Sequence, residues 1–158
     1  MKKIVLATDA WRPQRNGVVR CVENTKQFLE KNGFEVTVIQ PNLFFTIPFI
    51  FYQEIRIPLF VRGKIKKILN KINPDYIHIF TEGAIGLATR SICIQKNLKF
   101  TTSYHTHYPE YGMYYLKSNL MFDTIYSYMM WFHRKSSVTM VITENFKKEL
   151  EGHGFENL

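Results

Sequence analysis

The chain has 158 residues, of which 46% are hydrophobic and 22% charged, a composition typical of one folded domain and unlike that of a disordered chain. Its formal net charge of +8 permits an anionic partner but does not choose among nucleic acid, a phosphate-bearing substrate and a lipid surface. The longest apolar stretch, residues 43–52, is interrupted by Pro48 and is shorter than the roughly 20 residues that a membrane span needs.

The two cysteines of the sequence, Cys21 and Cys93, lie on separate segments that are both predicted to be helical. Their spacing fits neither a disulfide framework nor a zinc-binding pattern, so we expect a reducing cytoplasm. Residues 1–8 begin like a signal peptide, but Asp9 follows before an apolar core of sufficient length is complete. We therefore predict a first β-strand at this position.

Short apolar runs alternate with amphipathic segments along the whole chain. The runs favour strands that are buried on both faces of a parallel sheet, whereas the amphipathic segments favour helices. The predicted strands cover residues 3–8, 35–40, 54–57, 76–80, 100–104 and 138–142. The predicted helices cover residues from about 17 to 32, then 59–72, 84–96, 120–135 and 144–151, with Gly33 as a left-handed cap and Thr143 as an N-cap. Residues 43–58 are predicted to be a long connection that contains only the strand at 54–57.

This alternation predicts a Rossmann-like α/β fold, a three-layer sandwich in which a parallel sheet carries helices on both faces. In such folds the binding crevice lies beyond the carboxyl ends of the strands. The residues that directly follow each predicted strand are therefore the candidates for function.

The loop after the first strand contains Asp9, Trp11, Arg12, Asn16 and Gly17. A glycine at the start of a helix allows an anion to approach backbone N–H groups where the helix dipole is positive. With a single glycine the loop is neither a dinucleotide fingerprint nor a Walker loop. A plain turn with Gly17 as a cap explains the loop equally well.

Two later loops carry polar groups at strand ends. Glu82 could accept hydrogen bonds from a sugar hydroxyl, or it could only favour the helix dipole. His105, between Tyr104 and Tyr108, lies where acid–base catalysis or phosphate binding is needed. His105 and His107 are two residues apart on an extended segment and point to opposite sides, so we predict no metal site.

The helix predicted at residues 59–72 has one strongly basic side, formed by Lys64, Lys66, Lys67 and Lys71 with Arg62. Such a face is either solvated or docks on anionic lipid. The neighbouring aromatic run at residues 43–52 favours docking, because it places an apolar patch beside a basic one. Nucleic acid is disfavoured, since no recognition motif or interleaved aromatic platform is present.

Taken together, these loops resemble the amino-terminal domain of family-4 glycosyltransferases of the GT-B type, especially bacterial lipid and mannosyl transferases and their sulfoquinovosyl relatives. The matching segments run in order along essentially the whole chain: TDAWRPQ (8–14), NGVVR (16–20), EIR (54–56), PDYIHI (74–79), TEG (81–83), GLA (86–88), TSYHTHYPEY (102–111) and FHR (132–134).

The resemblance implies that residues 1–158 form the acceptor-side domain of a two-domain enzyme whose donor-binding domain is absent from this chain. It implies retaining transfer of a hexose, with mannose expected, from a GDP- or UDP-sugar to a lipid or glycan, without a further cofactor or metal. The enzyme is expected to be cytoplasmic and peripheral at the inner face of the membrane. A separate chain could supply the donor domain. The alternative is a truncated or regulatory module that binds sugar or phosphate without catalysis.

The resemblance also assigns roles to residues. Asn16 and Gly17 match the loop that contacts the donor phosphate, and His105 matches the histidine that lines the reaction centre. Further substrate contacts are expected from Asp9, Trp11, Arg12, Glu82, Tyr104 and Tyr108. The isolated chain is expected to have little transferase activity of its own.

Overall fold

A computed structural model describes residues 1–50, 52–105 and 119–158, with the side chains of 119–122 left out. The chain divides into two compact units, Met1–Phe100 and Thr101–Leu158, and each is described by itself.

The first unit is built on three parallel strands with β1 (Lys3–Ala7) in the centre. β1 pairs with β2 (Glu35–Ile39) on one side and with β5 (Tyr76–Ile79) on the other. The side chains of β1 from Ile4 to Ala7 are all buried, because β1 is central in the sheet and helices pack against the sheet. This explains why the sequence of β1 is a continuous apolar run without polar alternation.

Three helices complete the first unit: α1 (Gly17–Lys31), α2 (Val61–Ile72) and α3 (Ala84–Gln95). α1 covers a cluster formed by Ile4, Leu6, Val22 and Phe80. Beyond its end Gly33 has a φ of +82°, which confirms the predicted left-handed position.

The short strand predicted at residues 54–57 is observed at residues 56–58, but the prediction missed a second strand with which it forms an antiparallel hairpin. Its strands are β3 (Thr46–Pro48) and β4 (Arg56–Pro58), with Thr46 opposite Pro58 and Pro48 opposite Arg56. The two prolines argued against a strand pair. They are accommodated because each is the last residue of a strand in a two-stranded sheet, where a missing N–H disrupts little.

The second unit contains the parallel strands β6 (Thr101–Ser103) and β7 (Thr139–Met140) and the helices α4 (Asn119–His133) and α5 (Glu144–Gly152). Its core is formed by Tyr104, Tyr126, Met129, Leu150 and Phe155. The side chain of Thr143 accepts a hydrogen bond from the N–H of Phe146 at 3.2 Å, which confirms the predicted N-cap of α5.

Parallel strands flanked by helices in both units confirm the predicted α/β fold. The predicted elements differ from those observed mainly at their ends, where strands 138–142 and 100–104 shorten to β7 and β6. Among the helices that the structure describes, none combines the length and the apolar character required to cross a membrane.

Candidate functional site

The loop after β1 is tied to the loop after β5 through Asp9 and Thr81. The Oγ1 of Thr81 donates to Oδ2 of Asp9 at 2.8 Å and accepts from the N–H of Asp9 at 2.7 Å. Because β1 and β5 pair in parallel, both loops leave the sheet at the same edge. This is the edge at which doubly wound α/β proteins bind ligands.

The carboxylate of Asp9 also caps helix α3. Its Oδ1 accepts from the N–H of Ile85 at 2.8 Å, and its Oδ2 accepts from the N–H of Gly86 at 3.2 Å. Burial raises the pKa of Asp9, and the hydrogen bonds from Ile85, Thr81 and Gly86 oppose that shift. The amino end of α3 is thus filled by a carboxylate of the protein itself. An anionic ligand is not accommodated there.

Two glycines make this arrangement possible. A Cβ on residue 83 would lie 2.6 Å from the Cγ of Asp9, and a Cβ on residue 86 would overlap the carbonyl oxygen of Thr81. Neither contact is possible for a real Cβ atom. Asp9 and the turn between β5 and α3 can therefore approach each other only with glycine at positions 83 and 86. Sequence reasoning did not assign roles to Gly83, Gly86 or Thr81. The TEG motif with a second glycine three residues later was the signal that could have revealed them.

Glu82 lies inside this turn, between two residues that contact Asp9. Its side chain is buried, and its charge contributes to the raised pKa of Asp9. The structure therefore places the predicted residues Asp9 and Glu82 close together at one edge of the sheet.

The start of α1 is the second part of the candidate site in this unit. The Oδ1 of Asn16 accepts from the N–H of Val19 at 3.0 Å, and its Nδ2 donates to Gln14 at 3.1 Å. Asn16 is therefore an N-cap. Gly17 is exposed, and a Cβ built on it meets no described atom within 4 Å. Packing within the described part of the protein does not require a glycine here, whereas a ligand approaching the backbone would.

Trp11 and Arg12 lie on the same loop but contact the protein itself. Trp11 is half-buried and packs against the cluster under α1. The Nε of Arg12 lies 2.6 Å from Oε1 of Glu23 in an exposed ion pair. Since ion pairs in contact with solvent contribute little to stability, Arg12 could exchange Glu23 for a ligand anion at little cost.

In the second unit, β6 delivers the pair Tyr104 and His105. Tyr104 is completely buried, and its ring lies 5.2 Å from those of His133 and Phe146 and 5.9 Å from that of Phe155. This position suits a core residue rather than the predicted substrate contact. His105 lies after the end of β6, as predicted, and is half-buried. Tyr108 lies outside the described residues.

Some residues on the basic side of α2 contact other parts of the protein, whereas others are exposed to solvent. Arg62 donates to Ser91 and Gln95 of α3 at 2.8 and 2.7 Å. Lys64 donates to the carbonyl of Leu43 and lies 5.7 Å from the centre of the Phe44 ring. Lys66, Lys67 and Lys71 are exposed.

Within the described residues, no group of three or more histidine, cysteine, aspartate or glutamate side chains is arranged to hold a metal ion. Cys21 and Cys93 are both free thiols.

The sequence of the chain matches a known protein family. The profile of Glycosyltransferase Family 4 matches residues 15–157. An alpha-monoglucosyldiacylglycerol synthase of Acholeplasma laidlawii is 29% identical over 130 residues, covering 73% of this chain and 32% of that protein. Its namesake in Streptococcus pneumoniae is 26% identical over 141 residues, covering 81% and 32%. A sulfoquinovosyl transferase of Arabidopsis thaliana is 26% identical over 145 residues, covering 84% and 28%.

A solved structure supports the fold. The UDP-GlcNAc 2-epimerase of Methanocaldococcus jannaschii superposes with a TM-score of 0.57 at 15% identity, covering 99% of this chain and 44% of that one. The chain spans about a third of the length of the curated relatives it matches.

The parallel strands, and the loops joined at the carboxyl ends of β1 and β5, define a Rossmann-like binding domain. The chain belongs to Glycosyltransferase Family 4. The resemblance to the amino-terminal domain of these GT-B enzymes is thereby confirmed.

Proposed function

We propose that this chain is the acceptor-side domain of a GT-B hexosyltransferase that acts on a lipid acceptor. The observation that carries the proposal is the family match over residues 15–157. Two of the relatives are named for a glucosylated diacylglycerol product, which supports a lipid rather than a free glycan as acceptor. The chain spans about a third of those proteins, and we propose that the donor-binding domain is supplied by another part of the enzyme or by a separate chain.

The donor phosphate is proposed to bind at the start of α1. The N–H groups of Gly17 and Val18 have no acceptors within the helix, whereas that of Val19 donates to Asn16, and the dipole there favours negative charge. Gly17 is exposed with open space around its Cα, so a phosphate can reach the backbone. Arg12 is close enough in sequence to add positive charge. No metal is needed for this mode of binding, since backbone N–H groups and a guanidinium meet the phosphate charge.

The transferred sugar is proposed to be a hexose carried by UDP or GDP. Mannose was expected from the resemblance, whereas the relatives are named for glucosyl and sulfoquinovosyl transfer. UDP-glucose and GDP-mannose are therefore the first donors to compare. The names also specify an alpha-linked product, which supports retention when the nucleotide sugar is itself alpha-linked. His105 is proposed to line the reaction centre, because it lies just beyond the carboxyl end of β6, and α/β folds place ligand-contacting residues after strand ends.

The domain is also proposed to dock on the cytoplasmic face of a membrane. Phe60 and Ile50 are 90% and 86% exposed, which is unusual for large apolar side chains unless they meet a partner. The N–H of Leu59 donates to the carbonyl of Phe45 at 2.9 Å, which brings the residues just before α2 next to the hairpin. Lys64 contacts Leu43 and Phe44, which lie just before the hairpin. The aromatic segment and the start of the basic helix therefore contact each other, and an apolar segment beside basic side chains suits an anionic bilayer.

A chimera tests the proposal. The chain is joined to the donor-binding domain of one of the curated relatives, and sugar transfer to diacylglycerol is assayed with UDP-glucose and GDP-mannose. We expect Gly17→Val to reduce the rate about 100-fold, as losing one preorganised donor group does, and His105→Ala to reduce it by about 100-fold or more.

Gly152→Val is the matched control, because Gly152 is also helical and open within 4 Å. It should transfer sugar at the rate of the parent chimera. Full activity of the Gly17→Val, His105→Ala double variant would contradict the site. Lipid binding without transfer from either donor would support a non-catalytic binding module instead.

A further inference from the structure

Three hydroxyl groups form a closed ring in the core of the second unit. The Oγ1 of Thr102 lies 3.2 Å from the Oγ of Ser136 and 3.1 Å from the Oγ1 of Thr139. Ser136 and Thr139 are themselves 3.1 Å apart. All three side chains are at least nine-tenths buried, so their hydrogen bonds are made to one another and to the protein around them.

Two further groups contact this hydroxyl ring. The Nδ1 of His133 lies 2.9 Å from the Oγ1 of Thr102. The Nδ2 of Asn157 donates to the Oγ of Ser136 at 2.8 Å and to the carbonyls of Ser136 and His133 at 3.0 Å each. The carbonyl of Asn157 accepts from the N–H of Thr139 at 2.6 Å. The last residues of the chain thus hold α4 and β7 around the hydroxyl ring.

Counting protons assigns the state of His133. Each hydroxyl group has one hydrogen. The three hydrogen bonds of the hydroxyl ring therefore use all three hydroxyl hydrogens, in whichever direction the donors follow one another around the ring. Thr102 then has no hydrogen left for His133 and can only accept. If Thr102 donated to His133 instead, one of the three ring contacts would lack a hydrogen. All contacts are satisfied together only when the Nδ1 of His133 carries a proton.

His133 touches two residues of the segment that leads to His105. Its Nδ1 meets Thr102 on β6, and its ring stacks on that of Tyr104 with centroids 5.2 Å apart and planes 26° apart. Tyr104 is also held by its N–H, which donates to the carbonyl of Met140 at 2.9 Å. His105 is the next residue along the chain.

We propose that His133 is a positioning residue for His105, acting by donating from Nδ1 to Thr102 and by stacking on Tyr104. The importance of His105 for sugar transfer rests on the proposed function. The arrangement of His133 itself does not. A buried histidine fixed in one tautomer orients the strand end more sharply than an apolar side chain, because its hydrogen bond has a required direction.

The first test needs no substitution. The chain is labelled with ¹⁵N at histidine, and the ring nitrogens are assigned by long-range ¹H–¹⁵N spectra at neutral pH. We expect the Nδ1 of His133 to give the shift of a protonated nitrogen. The more common tautomer, protonated only at Nε2, would overturn the inference.

Variants test the effect on His105. Thr102→Val removes the hydroxyl at almost constant shape, and His133→Phe keeps an aromatic ring without the donor. We expect both to move the ring signals of His105, and Thr102→Ser to restore them because it keeps the hydroxyl. His153→Phe is the control, since the ring of His153 stacks on that of Tyr126, with centroids 4.0 Å apart. His105 signals that stay unchanged in folded Thr102→Val would contradict the proposal.

The two proposals fail in different ways. A chimera that transfers no sugar counts against the proposed function and leaves the histidine spectra as they are. A His133 ring protonated only at Nε2 counts against the positioning role even in a chimera that transfers sugar. If Thr102→Val does not fold, the tautomer of the parent chain and the His105 signals of His133→Phe still decide the matter.

Discussion

The Cγ of Asp9 lies 2.6 Å from the position that a Cβ on residue 83 would occupy, so Asp9 and Gly83 depend on each other. The glycine leaves room for the carboxylate, and the carboxylate then accepts the N–H groups of Ile85 and Gly86. A helix end that could have bound an anionic substrate is closed in this way. The start of α1, where Gly17 is open, is the candidate that remains in this unit.

Alanine at the three glycines should separate these roles. Gly86→Ala forces a Cβ onto a backbone carbonyl and should destabilise the fold by about 3 kcal/mol or more. Gly83→Ala displaces Asp9 from its partners and should cost about 1–3 kcal/mol. Gly17→Ala meets open space and should change the free energy of unfolding by less than about 1 kcal/mol. Urea denaturation measures all three, and equal losses for Gly17 and Gly86 would contradict the geometry.

The charge of Asp9 should make stability depend on pH. Burial raises the pKa of Asp9 above its ordinary value of 3.8, so the folded chain keeps this proton at pH values where the unfolded chain has lost it. The folded state then binds more protons, and this residue's contribution to the free energy of unfolding falls as pH rises. Asp9→Asn does not titrate. The stability of the parent relative to Asp9→Asn should therefore decline from about pH 4 towards neutrality in urea titrations, and an increase would show that the sign is wrong.

Asn16 offers a way to separate helix capping from phosphate binding. Asn16→Ala loses the bond to Val19 and should lower the free energy of unfolding by about 1 kcal/mol. Asn16→Asp loses the bond to Gln14 but keeps the cap and adds a negative charge that the helix dipole favours, so most of the stability should be retained. In the chimera, Asn16→Asp should nevertheless lose transfer activity, because it repels the donor phosphate. Stable and fully active Asn16→Asp would indicate that no phosphate binds there.

The exposed lysines of α2 should control binding to lipid. Each basic side chain near an anionic bilayer contributes about 1 kcal/mol, so replacing Lys66, Lys67 and Lys71 by alanine should weaken binding roughly 100-fold. Flotation with anionic and neutral vesicles measures this. The matched control replaces three exposed lysines elsewhere, Lys31, Lys135 and Lys148. If the two triple variants weaken lipid binding equally, the binding depends on the net charge of the protein and not on α2.

The two thiols should differ in reactivity. Burial raises the pKa of Cys93 to about 12, and its side chain is completely buried, so little thiolate forms and reagents do not reach it. Cys21 is only partly buried. In the native chain we expect iodoacetamide to modify Cys21 alone, and in denaturant to modify both, as mass spectrometry of peptides would show. Fast modification of Cys93 in the native chain would contradict the packing of α3.

Many features could be predicted because they depend on residues close together in sequence. Continuous apolar runs determined β1 and β5, and local turn chemistry determined the glycine at position 33 and the cap at Thr143. The β3–β4 hairpin was missed since its two prolines locally disfavour strands. Only the pairing of Thr46 with Pro58 shows that each proline occupies a strand end.

By itself the sequence determined the α/β class, the order of the elements and the family, because apolar periodicity and ordered motifs are properties of the chain. It also located Asn16, Gly17 and His105 at the ends of elements. Tertiary structure decided what the neighbouring residues do. Asp9 caps a helix 76 residues away, and Tyr104 lies in the core with His133 beneath it. Such roles depend on contacts between segments distant in sequence, which the periodicity of a single chain does not specify.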